Sequence, residues 1–416
     1  MSDKPARILS PAPEFLRDPA LSAVLDALPD ARVVGGAVRD ALASRPVADI
    51  DLATPCLPDQ VIAAVEAKGL RAVPTGLDHG TVTAVSGGRG FEVTTLRRDV
   101  ATDGRRAVVA FTDDWKEDAA RRDFTINALS MSRDGAVFDY FGGIADLHAG
   151  IVRFVGDAPT RIAEDYLRIL RYFRFFARYE SGPPDAAAIA AIRGGVPGLA
   201  RLSAERVWSE LSRILAAPDP RAAIAMMQQL GVLAAVIPEG ADPVRLNRLV
   251  ASGAPADPIL RLAALLTGDV ATFAMRLRLP LADQERLVLL RTAPLAHPGN
   301  DDSALRRLLA DNDAAALTGR TWLCGDGGEE WQRLRTRLTT MPKPVFPLEG
   351  RDVLALGIAP GPQVGILLRA VRAWWLAGGC DAGADACRAE LAARVRTSQT
   401  ASTVSLSAPG EPRGSG

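Results

Sequence analysis

Zinc chemistry has little to build on in this chain, whose 416 residues include only four cysteines and three histidines. Cys56, Cys324, Cys380 and Cys387 form no CxxC pair, and no histidine stands near Cys380 and Cys387 to complete a tetrahedral site. The cysteines are expected to be reduced and idle. His79, His148 and His297 lie far apart, which excludes a domain built on clustered His and Asp. Charge of one sign is missing too. Basic and acidic residues balance at 49 each, so a polybasic binder is excluded and any polyanion must meet a local patch. No apolar run reaches the roughly 18 residues of a membrane span, and "MSDKPARILSPAPEF" holds no signal-peptide core. The expectation is a cytoplasmic chain, with no membrane and no protein partner implied.

What is present supports real cores: 48% of residues are hydrophobic and 24% charged. At roughly 150 residues per domain, two to four domains are expected. Residues 1–150 mix the two periodicities. "ARVVGGAVRDALAS" is a strand, a glycine turn and a helix start, while "DIDLAT", "GTVTAVSG" and "GFEVTTLRRDV" alternate as strands do. From about residue 158 alternation gives way to Ala, Leu and Arg at helical spacing, broken by Pro and Gly. The expected class is α+β: a mixed-sheet domain at 1–150, short helices in a bundle from about 158 onward, and a disordered Ser/Thr/Gly/Pro-rich end at 398–416.

"ADIDLAT" carries the first chemical signal. On a strand, Asp49 and Asp51 face the same side. Two adjacent carboxylates stay ionised when a cation sits between them, and oxygen-only donors suit Mg²⁺. A solvated strand end or an Asx turn fits the same three residues. Upstream, "GGAVRD" puts Gly35 and Gly36 at a strand-to-helix turn with Arg39 one turn on. That arrangement suits phosphate binding, and it also suits plain packing. In "FEVTT", Glu92 alternates with Phe91 and Val93 and so faces away from the core. It is a candidate third acid or general base, or an ordinary exposed glutamate.

"EDYLRILRYFRFFAR" carries the second. Arg168, Arg171, Arg174 and Arg178 recur at helical spacing on one face, with Ile169, Leu170, Phe173 and Phe176 on the others. Asp165 lies three residues before Arg168, which sets a carboxylate beside a guanidinium. Cytosine and adenine each offer an amine donor next to a ring-nitrogen acceptor, so an Asp/Arg pair selects them over uracil and guanine. A simple salt bridge is the alternative.

Taken in order, "GGAVRD", "DIDLAT", "FEVTTLRRDVATDGRRAVVAFT", "RRDFTINAL", "FDYFGGIADL", "RIAEDYLRILRYFRF" and "ERVWSEL" resemble the bacterial-type (class II) CCA-adding tRNA nucleotidyltransferases and their poly(A) polymerase relatives. The match is dense from about residue 31 to 215. The resemblance implies a catalytic head (1–150), a helical neck that recognises the base (151–215), a helical body (216–340) and a tRNA-binding tail (341–397). It implies that Asp49 and Asp51 hold catalytic Mg²⁺, with Glu92 as third carboxylate. Gly35, Gly36 and Arg39 would meet the triphosphate, and Arg122, Asp123 and Asn127 the nucleotide and its ribose. Asp165 and Arg168 would template the base, with Arg171 and Arg174 supporting the nucleotide. "ATDGRRAVVAFTDDW" looks like the flexible loop that switches addition from C to A, and Gly142 and Gly143 stand where the family hinges. The implied activity is template-independent addition of CCA to tRNA 3′ ends from CTP and ATP.

The nearest alternatives share the fold: partial CCA addition, or a poly(A) polymerase. A different class, a non-catalytic RNA-binding protein, is expected to have lost one of Asp49, Asp51, Asp165 or Arg168, and all four are present. A metal-dependent phosphohydrolase has no use for the Asp165/Arg168 pair.

Overall fold

The computed structural model describes residues 4–103 and 106–405. The chain divides into two compact units. One runs up to Pro243 and adds Ala256–Pro258 and Leu266–Leu279. The other takes Val244–Pro255, Ile259–Leu265 and the chain from Pro280 onward. This division is coarser than the four parts expected from sequence.

Among the described residues the first unit opens with ten strands: β1 (Arg7–Ile8), β2 (Arg32–Val34), β3 (Asp51–Thr54), β4 (Arg71–Gly76), β5 (Thr81–Ser86), β6 (Arg89–Thr95), β7 (Arg97–Asp103), β8 (Arg106–Phe111), β9 (Leu129–Met131) and β10 (Ala136–Asp139). Eight of them form a mixed sheet in the order β1-β10-β9-β2-β3-β6-β5-β4. Strands β3 and β6 run parallel, with Asp51 directly opposite Glu92. Alternation sends Leu52, Val82, Ala84, Phe91 and Val93 to one face, against helices Pro19–Ala27, Gly36–Leu42 and Pro58–Ala67. Each large apolar side chain buried there contributes about 1.5–3 kcal/mol, so a one-residue slip of any strand is strongly disfavoured. Asp51 and Glu92 are thereby held on the opposite, exposed side. Strand β4 carries Pro74 and escapes sequence reading; at the sheet edge its missing N–H removes no ladder bond. Strands β7 and β8 pair as a separate antiparallel ribbon. The segment expected as a flexible loop falls largely on this ribbon, and residues 104 and 105 at its tip lie outside the described residues.

Two of the helices that follow start on carboxylate caps. Asp157 accepts from Thr160 N at 3.0 Å to begin Ala158–Glu164, and Asp185 accepts from Ala188 N at 3.0 Å to begin Ala186–Gly195. In helix Leu167–Tyr179, Ile169, Leu170, Tyr172 and Phe173 are fully buried. Tyr172 meets Phe154 at a ring separation of 6.0 Å, and Phe154 meets Phe124 at 4.9 Å. This aromatic wall leaves the arginines the open face. At the start of helix Gly143–Ala149, a Cβ on Gly143 would fall 2.1 Å from the Thr125 carbonyl oxygen, so only glycine fits.

The second unit is helical throughout its described elements. One core gathers Leu305, Leu309, Leu317, Leu334 and Leu338. Another gathers Leu348, Leu367, Val371, Trp375 and Leu391, with Cys387 inside it and Cys380 at its margin. The four cysteines are free. The last helix, Ala384–Ser405, continues into the stretch expected to be disordered from 398, and residues 406–416 lie outside the described residues. Among the described residues no helix is long and apolar enough to cross a membrane.

Candidate active site

A cleft of about 1020 Å³ opens in the first unit, between the exposed side of the sheet and the arginine face of helix Leu167–Tyr179. Gly35, Gly36, Arg39, Asp49, Asp51, Arg122, Asp123, Asn127, Asp165, Arg168, Arg171 and Arg174 all line it. Of the expected site residues, Glu92 alone stands outside the lining, next to Asp51 in the β3–β6 ladder. Ten arginines face five aspartates around the wall, an excess of positive charge suited to a polyanionic ligand.

The sheet edge of the cleft holds the acids. Asp51 is the first residue of β3, paired with Val34, the last of β2. Asp49 does not share the strand, contrary to the sequence expectation. Gly35 turns the chain away at φ 67°, which leaves residues before 51 no partner on that side. Both aspartates still reach the cleft. Burial raises the Asp51 carboxyl above its ordinary value, and the charges of Glu92 and Asp49 add to this against a smaller opposing pull from Arg122. No arginine or lysine forms an ion pair with either aspartate among the described contacts. Nor do three or more His, Cys, Asp or Glu side chains among the described residues already converge at metal-binding geometry.

The glycine turn differs from its expected role in part. Gly35 donates its N–H to the Leu129 carbonyl at 3.0 Å, so that amide is engaged. The Arg39 guanidinium is nearly buried. Its Nε and Nη2 each donate to Asp40 at 3.1 Å, and its Nη1 donates to Asn127 Oδ1 at 2.5 Å. Asn127 Nδ2 donates in turn to Asp123 Oδ1 at 3.1 Å, and Arg171 Nε to Asp123 Oδ2 at 2.7 Å. Burial pushes the Asp123 carboxyl up, but Arg171 and the Asn127 amide outweigh it and hold the group below the ordinary carboxylate range. Nearby, Asp118 grips Arg121 at 2.8 Å and Arg122 at 3.1 Å.

At the helical edge, the expected Asp165/Arg168 pair does not form a salt bridge with itself. Asp165 Oδ2 accepts from Arg206 Nη2 at 2.6 Å, and its Oδ1 from Leu167 N at 3.1 Å. Arg168 Nη1 donates to the Arg161 carbonyl at 2.7 Å and pairs with Glu164. The reason is geometric: Asp165 precedes the helix in extended conformation, so it is off the helical face that Arg168 occupies. Arg174 meets Glu210 at 3.0 Å, and burial pushes its guanidinium down to about 10 despite that partner.

Asp40, Asp118, Glu164, Tyr179, Arg206 and Glu210 complete this network without having been expected from sequence. Asp118 carries a readable signal, three and four residues before Arg121 and Arg122 in "EDAARRD". Arg206 and Glu210 share a face in "ERVWSEL", but nothing local links them to Asp165 and Arg174.

Comparisons with known proteins agree on one family. The family described as "Poly A polymerase head domain" matches residues 31–153, and "Probable RNA and SrmB- binding site of polymerase A" matches 185–242. The chain is 37% identical over 358 residues to a mouse protein named "CCA tRNA nucleotidyltransferase 1, mitochondrial", covering 83% of this chain and 82% of that one. It is 33% identical over 374 residues to the "CCA-adding enzyme" of Levilactobacillus brevis, covering 84% and 90%. Among solved structures, the Bacillus stearothermophilus CCA-adding enzyme in complex with CTP aligns at a TM-score of 0.73 with 26% identity, covering 92% of this chain and 100% of that one.

Proposed function

This chain belongs to the family of CCA-adding tRNA nucleotidyltransferases, and from that premise we propose how its cleft carries out the reaction. The reaction is template-independent addition of C, C and A to tRNA 3′ ends from CTP and ATP. The 3′-hydroxyl oxygen bonds to the α-phosphorus, the bond from that phosphorus to the β-phosphate bridging oxygen breaks, and pyrophosphate leaves.

The observation that carries the assignment of roles is the contrast in pairing around the cleft. Asp49, Asp51 and Glu92 gather like charges with oxygen as their only donor atom, and burial, with the charges of Glu92 and Asp49 adding to it, raises the Asp51 carboxyl. That donor set fits a hard divalent ion, and we assign Mg²⁺ to Asp49 and Asp51. When bound, the ion supplies Lewis-acid stabilisation of charge on the phosphates. Glu92 takes the proton that the 3′-hydroxyl sheds. Arg122, fixed by Asp118, and Gly36 with Arg39 face the triphosphate. Asp123 and Asn127 meet the ribose.

Asp165 and Arg168 read the base, each through the capacity its partners leave over. A carboxylate oxygen accepts more than one hydrogen bond, so Asp165 can take the amine of C or A while Arg206 holds it. Arg168, anchored through Nη1 and through a 3.5 Å bond from Nη2 to the Arg121 carbonyl, keeps its Nε and the second Nη2 N–H for the ring nitrogen. Because both charges are neutralised before a nucleotide enters, the reading geometry is set in advance. Arg171 and Arg174 support the nucleotide from the same face. The head, neck, body and tail boundaries near 150, 215 and 340 are part of this proposal. The cytoplasmic placement rests on the sequence alone, and the mouse relative is named mitochondrial.

The test is single-nucleotide labelling. Purified protein with Mg²⁺ is given tRNA transcripts ending before CCA, after CC and after CCA, with each labelled nucleotide separately. The expected result is two C and one A, then arrest. Long A tracts on any RNA, C-only products or no addition at all would overturn the reading.

A further inference from the structure

Tyr179, in the last turn of helix Leu167–Tyr179, lines the cleft yet has no role in the scheme above. Its hydroxyl donates to Asp40 Oδ1 at 2.5 Å. Its ring lies 4.4 Å from the Arg39 guanidinium carbon and 4.5 Å from that of Arg45. Arg45 itself donates to the Arg178 carbonyl at 2.6 Å. Asp40 also holds Arg39 through two hydrogen bonds, and Arg39 passes the chain on to Asn127, Asp123 and Arg171. Arg171 lies two helical turns before Tyr179 on the same helix. The contacts therefore close a circuit: out from the helix at Tyr179, through Asp40, Arg39, Asn127 and Asp123, and back at Arg171.

We infer that Tyr179 is a positioning residue for nucleotide binding, which fixes Arg39 by its ring and Asp40 by its hydroxyl. The inference rests on the assignment of Arg39 to the triphosphate. A guanidinium stacked on an aromatic face keeps its in-plane donors while losing the freedom to swing. Arg39 uses Nε and one donor on each terminal nitrogen, which leaves two N–H groups for phosphate oxygens. Without the ring, Arg39 keeps its charge, its bonds to Asp40 and Asn127 and the Phe175 ring 5.1 Å away, but it is held less firmly, and nucleotides bind less tightly while the RNA end is unaffected.

A double-mutant cycle on the full chain tests this. KM for CTP on tRNA lacking CCA, KM for ATP on tRNA ending in CC, KM for tRNA, kcat and the thermal midpoint are measured for Tyr179→Phe, Tyr179→Leu, Arg39→Ala and the Tyr179→Leu/Arg39→Ala double variant. Tyr179→Leu is expected to raise both nucleotide KM values about tenfold, with KM for tRNA unchanged. Tyr179→Phe keeps the ring and is expected to raise them only about threefold. In the Arg39→Ala background Tyr179→Leu should add nothing further. A purely structural role would lower the midpoint and kcat and leave KM alone, which overturns the inference, as would multiplying effects in the double variant. If Arg39→Ala itself leaves both nucleotide KM values unchanged, the assignment of Arg39 to phosphate is the part that fails.

Discussion

The two edges of the cleft handle charge in opposite ways. Along the helical edge, every acid has an arginine partner: Asp123 with Arg171, Asp165 with Arg206, Glu164 with Arg168, Glu210 with Arg174. Along the sheet edge, Asp49, Asp51 and Glu92 have one another, and burial together with that repulsion raises the Asp51 carboxyl. A paired edge is rigid and selective before ligand arrives. An unpaired edge is an unmet electrostatic demand that a cation answers. Recognition and chemistry are thus separated by who supplies the counter-charge, the protein or the solution.

Breaking the unpaired edge should have the largest effect. Asp51→Asn is expected to lower kcat for both C and A addition by about a thousandfold, read by single-turnover addition to tRNA lacking CCA. The same substitution should raise the thermal midpoint at neutral pH, because it removes a charge that the folded state repels. The sign follows from the shift. A carboxyl whose folded pKa is raised costs stability while ionised, and that cost disappears as pH falls through the raised pKa. The gain in midpoint should therefore vanish under acidic conditions. A lower midpoint at neutral pH would show that Asp51 is already satisfied within the protein.

Next in size comes the deepest pair of the helical edge. Glu210 is 3% exposed, so Glu210→Ala leaves the half-buried Arg174 without its carboxylate, at an expected cost of about 3 kcal/mol in urea unfolding. A change under 1 kcal/mol would place Arg174 effectively in solvent. Smallest is the effect on choice of base. Asp165→Ala should reduce discrimination of CTP over UTP by about 2 kcal/mol, roughly thirtyfold, while Arg206→Ala keeps most of it. Equal losses in both variants would mean that Asp165 and Arg206 read the base as one unit, and a loss confined to Arg206→Ala would mean that Arg206, not Asp165, reads it.

Much of this was legible in the chain because the relevant signals are local. Period-two alternation sets Glu92 opposite Phe91 and Val93, and the structure keeps it there. Three- and four-residue spacing lines up Arg168, Arg171 and Arg174, and all three face the cleft. What escaped reading is settled between distant segments. Asp49 falls off the strand because Gly35 ends its partner, and Asp165 finds Arg206 rather than Arg168 because a helix begins between the two. Tyr179 reads as one more aromatic of an apolar helix until its hydroxyl is found on Asp40.

The parallel pairing of β3 with β6 has a consequence for the order of folding. Parallel neighbours cannot be joined by a tight turn, and here helix Pro58–Ala67, β4 and β5 intervene between them. Such a contact closes late, after the local hairpins have formed. Asp51 and Glu92 are therefore expected to remain apart through the early stages, when crowded carboxylates would oppose collapse. The chain meets the repulsion of its own active site only once the rest of the sheet is there to withstand it.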